Sequence, residues 1–230
     1  MLGADGTEMY SQAHRGYDST NRILSFFRDS SLRRLAAGMT LESDPSIVAD
    51  LATGTGDTAI FTRRIAKERG LDTEVVGIDA NADMLRVATE KAKNAGLSGI
   101  KFVKANVYKL PYGSGHFDAV SCSFSVKNFN DIDGFLKEAH RVLRRNGALV
   151  ILDTSMPGTG FGRLAFYVYF AYMKLIGALA QKELYRWLPG STAAFDRRRF
   201  IGKIRRGGFS SVRVSEFLFG IAYIVRCRKG

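Results

Sequence analysis

Short apolar runs alternate with longer amphipathic stretches along the chain, and this alternation predicts an α/β protein. Each of the first five runs is followed by a segment long enough for a crossover, which favours a parallel sheet. The last two runs are separated by three residues and therefore predict an antiparallel hairpin. The predicted strands are 47–51, 74–78, 100–103, 117–123, 148–152, 211–217 and 221–227. The predicted helices are 58–67, 82–95, 132–143, 162–179 and 197–206.

Two segments lie outside this alternation. Residues 17–39 predict one or two helices ahead of the first strand, and residues 156–191 form an insertion between the fifth strand and the hairpin. Ligands of parallel α/β sheets bind at the carboxyl ends of the strands, so the insertion is well placed to act as a lid. A length of 230 residues suits a single domain. We divide it into a helical cap (1–45), a core (46–154), a helical lid (155–209) and a terminal hairpin (210–230).

A glycine-rich turn follows the first predicted strand and carries the strongest chemical signal. Asp50 ends the apolar run, and Gly54-Thr55-Gly56 opens the next helix, where small residues allow a ligand to approach the backbone closely. The second strand ends in Asp79, 23 residues after Gly56, close to the roughly 20 expected of an acid that binds a ribose. These features predict a nucleoside site, and the alternative is a tight turn that binds no ligand.

The same turn disfavours a dinucleotide. The third glycine expected after Gly56 is replaced by Ala59, which some dinucleotide sites tolerate. Asp50 stands just before the turn, where its charge would repel a pyrophosphate. S-adenosylmethionine fits better, because it combines a ribose with an amino acid and has no phosphate.

Positive charge is concentrated in the last third of the chain. Of the formal net charge of +12, residues 155–230 carry +11, from 14 Lys and Arg against 3 Asp and Glu. This asymmetry predicts an anionic partner, either a membrane surface, a nucleic acid or an acidic substrate, although a solvated face is an equal alternative. Cys122 and Cys227 form no disulfide framework, no secretory signal is visible, and we expect a cytoplasmic protein.

Five segments resemble, in order, the motifs of the ubiquinone/menaquinone biosynthesis C-methyltransferases, a family of class I S-adenosylmethionine-dependent enzymes. Residues 50–57 resemble the cofactor motif, and residues 17–21 the N-terminal Tyr-Asp-x-x-Asn motif. Residues 106–112, followed by Phe117-Asp118, resemble the approach to strand four. Residues 123–129 and 140–147 resemble the Ser-Phe-Gly-x-Arg-Asn motif and the turn before strand five. Weaker matches in the tail are 185–188, Gly208-Phe209 and Gly220-Ile221.

The sequence departs from the family pattern at three places. Lys127 stands where the family has arginine, and Ser125 stands where it has glycine. Arg145-Asn146 replaces Pro-Gly in the turn before strand five. Lysine keeps the positive charge but loses the planar fork of arginine. These departures bear on the acceptor and on catalysis more than on the cofactor.

The resemblance implies a Rossmann-like class I methyltransferase fold and a cofactor site for S-adenosylmethionine. Asp79 would bind the ribose, Ser123 would lie below the sulfonium, and the glycine turn would line the methionine moiety. Met84 and Asn106 have structural alternatives, as helix core and as a turn residue. The full set of implied cofactor-binding residues is Asp50, Thr53, Gly54, Thr55, Gly56, Asp79, Ala80, Met84, Asn106, Val107 and Ser123.

The implied reaction is methylation of a ring carbon in a prenylated benzoquinol or naphthoquinol. The resemblance places Lys127 and Asn128 over this substrate, with Lys127 stabilising a phenolate and Asn128 orienting a water molecule or a ring oxygen. Tyr17 would close the site from the N-terminal helices, and His14 is a weaker candidate for the same lid. The alternative for Lys127 is a solvated loop residue. No Cys, His and Asp cluster has metal-ligand spacing, and we expect no metal.

Residues 161–180 are rich in Phe, Tyr, Leu and Ala and approach transmembrane length, but Lys174 and three tyrosines interrupt the run. We expect an amphipathic lid helix that receives the isoprenoid tail and rests on the bilayer, while the basic residues of 197–206 meet anionic headgroups. A core helix or a homodimer interface is the alternative.

Other activities remain open at this stage, namely methylation of another small molecule such as a lipid amine, methylation of RNA or DNA, and binding of nucleic acid without catalysis. The segment 123–126 does not resemble the Asn/Asp-Pro-Pro-aromatic motif of base N-methyltransferases, and Cys122 follows serine rather than the proline of cytosine-C5 enzymes. Nucleic acid is therefore the less favoured partner.

Overall fold

The computed structural model of the chain describes residues 28–179, 190 and 192–230. The helices are α1 (Arg28–Thr40), α2 (Asp57–Glu68), α3 (Ala82–Asn94), α4 (Ile132–Val142), α5 (Gly160–Leu179) and α6 (Arg197–Arg206). The strands are β1 (Ile47–Leu51), β2 (Glu74–Asp79), β3 (Ile100–Lys104), β4 (Phe117–Ser123), β5 (Leu143–Thr154), β6 (Phe209–Phe217) and β7 (Ala222–Lys229). Single 3₁₀ turns cover Val126–Asn128 and Leu218–Gly220.

The strands form one sheet in the order β3-β2-β1-β4-β5-β7-β6. Strands β1 to β5 pair in parallel, and β7 pairs antiparallel with both β5 and β6. The central strands are apolar on both faces because helices cover both, which is why they read in the sequence as continuous apolar runs. The predicted parallel sheet with a terminal antiparallel hairpin is confirmed.

Helices on opposite faces bury the two sides of the sheet. Leu32 and Ala36 of α1 pack with residues of β5 and β7 on one face. Residues of α4 and α6, including Phe135 and Phe200, pack in the main core on the other face. Asn81, Asp131 and Asp196 cap α3, α4 and α6 with their side-chain oxygens, so these helices begin where the sequence supplies an Asx residue.

Strand β5 differs most from its prediction, because it begins at Leu143 instead of residue 148. The pairing with β4 skips from Phe117↔Leu143 to Ala119↔Ala148, so the expected turn is a bulge within the strand. Asn146 adopts a φ of +63° in this bulge. Asparagine tolerates the left-handed region better than most residues, and it can therefore stand where the family motif has glycine.

Several sequence predictions fall outside the described residues. They concern Tyr17 and the 17–21 motif, His14, the 185–188 motif, and the part of the N-terminal helical cap that precedes residue 28.

Candidate functional site

The carboxyl ends of β1, β2, β4 and β5 meet along one edge of the sheet. The order of the strands reverses between β1 and β4, and ligands of open α/β sheets bind in the crevice at such a point. Four polar side chains end these strands or follow directly: Asp50 near the end of β1, Asp79 on β2, Ser123 on β4 and Asp153 on β5. The sequence analysis recognised the first three and missed Asp153.

The glycine loop (residues 52–56) connects β1 to α2 through three left-handed residues. Ala52, Gly54 and Gly56 have φ values of +52°, +56° and +82°. The backbone N–H of Thr53 donates to the carbonyl of Ile78 at 3.0 Å, and that of Gly56 donates to the carbonyl of Thr53 at 3.0 Å. The loop is thereby fixed to the end of β2 before any ligand binds.

The two glycines of the loop serve different purposes. A Cβ added to Gly54 would meet no atom within 4 Å, so this residue borders open space. A Cβ added to Gly56 would lie 2.8 Å from the Cβ of Ala88 and 3.1 Å from the ring of Phe102. Gly54 therefore leaves room for a ligand, whereas Gly56 allows the loop to pack against α3 and β3.

Asp79 binds backbone on both sides of its carboxylate. Its Oδ2 accepts the N–H of Gly54 at 2.8 Å, and its Oδ1 accepts the N–H of Asn81 at 2.9 Å. Burial raises the pKa of Asp79, while hydrogen bonds from Asn81, Gly54 and Ala80 oppose the rise. A carboxylate has about four acceptor positions and the backbone takes three, so the side chain can still accept a hydroxyl proton from a ribose.

Asp50 is buried beneath the glycine loop. Its two oxygens accept the hydroxyls of Thr53 at 2.6 Å and Ser121 at 2.7 Å. Burial raises the pKa of Asp50 to about 6, against the lowering effect of Thr53, Ser121 and Arg33. These bonds give Asp50 and Thr53 a role in shaping the loop, and direct contact with a cofactor remains a prediction for both.

Thr55 is also engaged within the protein, because Nζ of Lys91 on α3 donates to its hydroxyl at 3.3 Å. Lys91 forms an ion pair with Asp57 at the start of α2 as well. The three side chains thus fasten the glycine loop to α3.

The remaining cofactor candidates lie around the end of β2 and after β3. Ala80 is exposed and follows Asp79 directly, whereas Met84 is buried in α3. Val107 is buried beside the exposed Asn106, whose Oδ1 accepts the N–H of Tyr108 at 2.9 Å. This bond is an Asx turn, the structural alternative considered for Asn106.

The hydroxyl of Ser123 marks a place at this edge where a ligand or a water molecule would complete the hydrogen bonding. This hydroxyl is buried, and no hydrogen-bond partner for it occurs among the described residues. Buried hydroxyls are normally paired, and an unpaired one calls for a ligand or a water molecule. Together with the open space at Gly54 and the carboxylate of Asp79, this group fits a cofactor that carries a ribose and an amino acid.

Lys127 lies in the 3₁₀ turn after β4, and its side chain is buried. Its Nζ donates to Oδ1 of Asp153 at 2.6 Å and to the carbonyl of Phe124 at 3.3 Å. The backbone N–H of Lys127 donates to Oδ2 of Asp153 at 3.0 Å. Lys127 is therefore not a solvated loop residue. The neighbouring Asn128 ends the turn, and its N–H donates to the carbonyl of Ser125 at 3.0 Å.

Sequence reasoning missed two residues that adjoin these candidates. Asp153 follows the apolar run 148–152, and the rule that identified Asp50 and Asp79 as strand-end acids would also have identified it. Arg33 of α1 donates to the hydroxyl of Thr58 at 3.1 Å and lies over the ring of Phe124 at 4.8 Å. No sequence signal marked Arg33, because its place depends on how α1 docks.

Within the described ranges, no three His, Cys, Asp or Glu side chains are grouped so that they could hold a metal ion. The helices among the described residues also lack the combination of length and apolar character that a membrane span requires.

Comparison with solved structures identifies the class of fold. A SAM-dependent methyltransferase from Thermotoga maritima, described as a possible histamine N-methyltransferase, superimposes with a TM-score of 0.66. The match covers 97% of this chain and 99% of the other at 18% sequence identity, so it shows the fold alone. The expected Rossmann-like class I methyltransferase architecture is confirmed.

Sequence comparison is more specific than the fold. A demethylmenaquinone methyltransferase from Thermus thermophilus is 38% identical over 219 residues, which are 94% of this chain and 97% of the relative. The ubiquinone/menaquinone biosynthesis C-methyltransferase UbiE from Citrifermentans bemidjiense is 33% identical, over 94% of this chain and 92% of the relative. A sequence model of the ubiE/COQ5 methyltransferase family matches residues 4–229. The resemblance found in the motifs thus extends over nearly the whole length, and the chain belongs to the ubiE/COQ5 methyltransferase family.

Proposed function

We propose that this methyltransferase transfers a methyl group from S-adenosylmethionine to a ring carbon of a prenylated quinol. Demethylmenaquinol is the preferred acceptor and a demethylated benzoquinol the second. The observation that carries the proposal is the arrangement of the carboxyl edge. Asp79 and the glycine loop supply a nucleoside site on β1 and β2, and the buried Lys127–Asp153 pair lies beside it, in the turn after β4 and on β5. The choice of acceptor follows the names of the relatives.

The cofactor half is assigned residue by residue. Asp79 accepts the ribose hydroxyls, and the backbone around Gly54 faces the methionine moiety, where an added Cβ would meet nothing. The hydroxyl of Ser123, buried and unpartnered within the described part of the chain, points to the region of the sulfonium. Ala80, Met84, Asn106 and Val107 surround the adenine, while Asp50, Thr53, Thr55 and Gly56 hold the loop in shape.

The acceptor half must create a nucleophilic carbon and exclude water. S-adenosylmethionine, when bound, supplies a methyl group that is already activated by the positive sulfur. A quinol hydroxyl that loses its proton pushes electron density into the ring, and the ring carbon forms its bond to the methyl group as the carbon–sulfur bond breaks. The hydrogen on that carbon then leaves as a proton. The protein's task is to align the ring and to stabilise the oxygen's charge.

Lys127 and Asn128, in the turn after β4, are the residues that we propose to contact the methyl acceptor. The ammonium of Lys127 is neutralised by Asp153, so we assign Lys127 to ordering the turn that carries Asn128 as well as to contact with the ring. Tyr17, from the segment ahead of α1, remains the proposed lid residue.

The test is transfer of radiolabelled methyl groups from S-adenosylmethionine to a panel of demethylmenaquinol, a demethylated benzoquinol and bulk tRNA. We expect label in a quinol, with the more strongly labelled ring identifying the substrate. Label in tRNA alone, or cofactor binding without label in any acceptor, would refute the proposal and make the basic last third of the chain the feature to explain.

We also propose peripheral contact with a membrane, which suits an acceptor with a prenyl tail. The support is a row of exposed apolar side chains on α5, with the exposed Phe219 packed against Phe161 at a ring distance of 5.2 Å. The row on α5 comprises Phe161, Leu164, Tyr167, Val168 and Tyr172. Exposed arginines of α6 add positive charge that anionic lipids would attract. Homodimer formation through the same helix is the competing proposal.

A further inference from the structure

Tyr223 carries a buried hydroxyl for which the described residues provide no hydrogen-bond partner. Tyr223 stands near the start of β7, directly opposite Asp153 of β5. Facing residues of an antiparallel pair project to the same side of the sheet, about 4.5–5.5 Å apart at Cβ. The ring is fully buried in the main core, yet the hydroxyl has no hydrogen-bond partner among the described residues.

Arg197 brings a second unpartnered donor to the same place. Its guanidinium lies over the ring of Tyr223, with 5.5 Å between Cζ and the ring centre. One arm donates to Oε1 of Glu216 at 2.6 Å, but NH1 is buried and has no partner within the described ranges. Glu216 also pairs with Tyr223 across β6 and β7, so these three side chains are close neighbours.

Both donors lie at the acceptor half of the site. Because β7 runs antiparallel to β5, the start of β7 lies at the carboxyl edge of the sheet, next to the end of β5. The glycine loop and Asp79 occupy the edge at β1 and β2. In the proposed function the acceptor lies beside them, over β4 and β5, near the end occupied by Tyr223.

Charge distinguishes Arg197 from Lys127. The side chain of Lys127 is 4% exposed and its partner Asp153 is 0% exposed, so the pair is internally neutralised. The partner of Arg197 is different, because the side chain of Glu216 is 52% exposed and its charge is screened by water. Arg197 can therefore present positive charge towards the acceptor, in the planar form that a lysine lacks.

We propose that the Tyr223 hydroxyl and the NH1 of Arg197 form an acceptor clamp that donates two hydrogen bonds to one ring oxygen of the quinol. The clamp rests on the proposed function and assigns a specificity role to residues of β7 and α6. A ring oxygen gains negative charge as the ring becomes nucleophilic, so the clamp binds most strongly as reaction begins. Burial raises the pKa of Tyr223, which keeps its proton available for donation. The guanidinium of Arg197 supplies the planar pair of donors that Lys127 lacks.

The experiment compares Tyr223→Phe and Arg197→Lys with two matched controls. Tyr223→Phe removes one oxygen atom and retains the buried ring. Tyr112→Phe removes the same group near the opposite edge of the sheet, close to the start of β4. Arg213→Lys makes the Arg197 change at an exposed position of β6, outside the helix that we propose to meet the membrane. For every variant we would measure kcat and KM with the quinol, the Kd for S-adenosylmethionine, and Tm.

The clamp predicts a fall in kcat/KM of about 10- to 100-fold for Tyr223→Phe and for Arg197→Lys, the scale of one hydrogen bond to a charged group. We expect the cofactor affinity of both variants to stay within twofold of the wild type, and both controls to have unchanged kcat/KM. The Tm of Tyr223→Phe should equal or exceed that of the wild type, because the hydroxyl that is removed has no hydrogen-bond partner among the described residues.

Three results would overturn the clamp. Values of kcat/KM within twofold of the wild type for both variants would refute it while leaving the proposed function intact. Losses that follow a fall in Tm or in cofactor affinity would assign both residues to structure. Wild-type protein that labels none of the quinols would refute the proposed function, and the clamp with it.

Discussion

The ammonium of Lys127 lies 2.6 Å from the carboxylate of Asp153, and both side chains are buried at the carboxyl edge of the sheet. Asp153 also accepts the backbone N–H groups of Lys127 and Thr154 at 3.0 and 2.8 Å. One carboxylate thus joins the end of β5 to the turn after β4. The pair sets the local shape of the edge at which we propose that the acceptor binds.

Removing one partner of this pair is expected to be far worse than removing both. Lys127→Ala leaves the carboxylate of Asp153 buried without its cation, and we expect a loss of about 3–5 kcal/mol in the free energy of unfolding. The double variant Lys127→Met with Asp153→Asn should recover most of that stability and none of the methyl transfer. Denaturant unfolding and the methyl-transfer assay measure the two effects. A Lys127→Ala variant as stable as the wild type would contradict the buried geometry.

Asp79→Asn tests the ribose site. The substitution keeps the shape of the side chain but removes the charge that strengthens its hydrogen bonds, so we expect cofactor affinity to fall about 10- to 100-fold. Titration calorimetry with S-adenosylmethionine measures the change, and Asp72→Asn, at an exposed position before β2, is the control. Equal affinity in the two variants would remove Asp79 from the site.

The two glycines of the loop should separate binding from folding. Gly54→Ala strains the backbone by about 1–2 kcal/mol and points a methyl group into open space, so we expect a small loss of stability and at least a tenfold loss of cofactor affinity. Gly56→Ala adds overlap with Ala88 and Phe102, so we expect a loss of about 2–5 kcal/mol in stability. Unfolding curves and calorimetry on both variants provide the comparison, and the reverse ranking would contradict the loop geometry.

The burial of Asp50 should make the free energy of unfolding depend on pH, with stability falling as the pH rises. Its pKa is about 6 in the folded protein and 3.8 ordinarily, so the folded state holds the proton more tightly than the unfolded chain. Its contribution therefore destabilises the protein above pH 6, by about 3 kcal/mol, and this penalty is relieved as the pH falls from 6 towards 3.8. Asp50→Asn removes the titration.

The measurement for Asp50 is the difference in free energy of unfolding between Asp50→Asn and the wild type. We expect this difference to favour the variant most at pH 7 and to shrink steadily down to pH 4. A difference that is constant over this range would mean that Asp50 titrates at the same pH in both states.

The exposed row on α5 predicts binding to anionic vesicles. Replacing Leu164 and Val168 by serine removes apolar area from the row, and each fully buried side chain of this size is worth about 1.5–3 kcal/mol. We expect at least tenfold weaker binding in a flotation assay with vesicles that contain anionic lipid. Leu35→Ser, at an exposed position of α1, is the control. If the double variant floats as well as the wild type but changes its oligomeric state, the row is an interface between copies.

Most of the fold could be predicted because buried parallel strands are apolar throughout. The bounds of β1, β4 and α6 were predicted without error. Strand β5 was predicted five residues too short at its start, because Arg144, Arg145 and Asn146 are polar and exposed in the bulge. These polar residues predicted a turn, whereas in the structure the strand continues on both sides of the bulge.

The cofactor half was easier to predict than the acceptor half for a physical reason. Asp50, Asp79 and the glycine loop are local features that follow single strands, so their spacing is visible in the sequence. The proposed acceptor half joins Lys127 after β4 to Asp153 on β5 and Tyr223 on β7, and only the pairing of the strands brings them together. Arg33 and Arg197 likewise depend on how their helices dock.

The position of β7 between β5 and β6 has a consequence for how the protein is made. Translation completes β5 about 70 residues before β7, so on a ribosome adding 5–20 residues per second the edge of β5 stays open for on the order of 3–14 s. The part of this edge that β7 covers, residues 148–154, is seven residues long and mostly apolar, which makes it a template for pairing with other chains. We therefore expect nascent chains of this protein to expose an unpaired strand edge until β7 emerges and closes it.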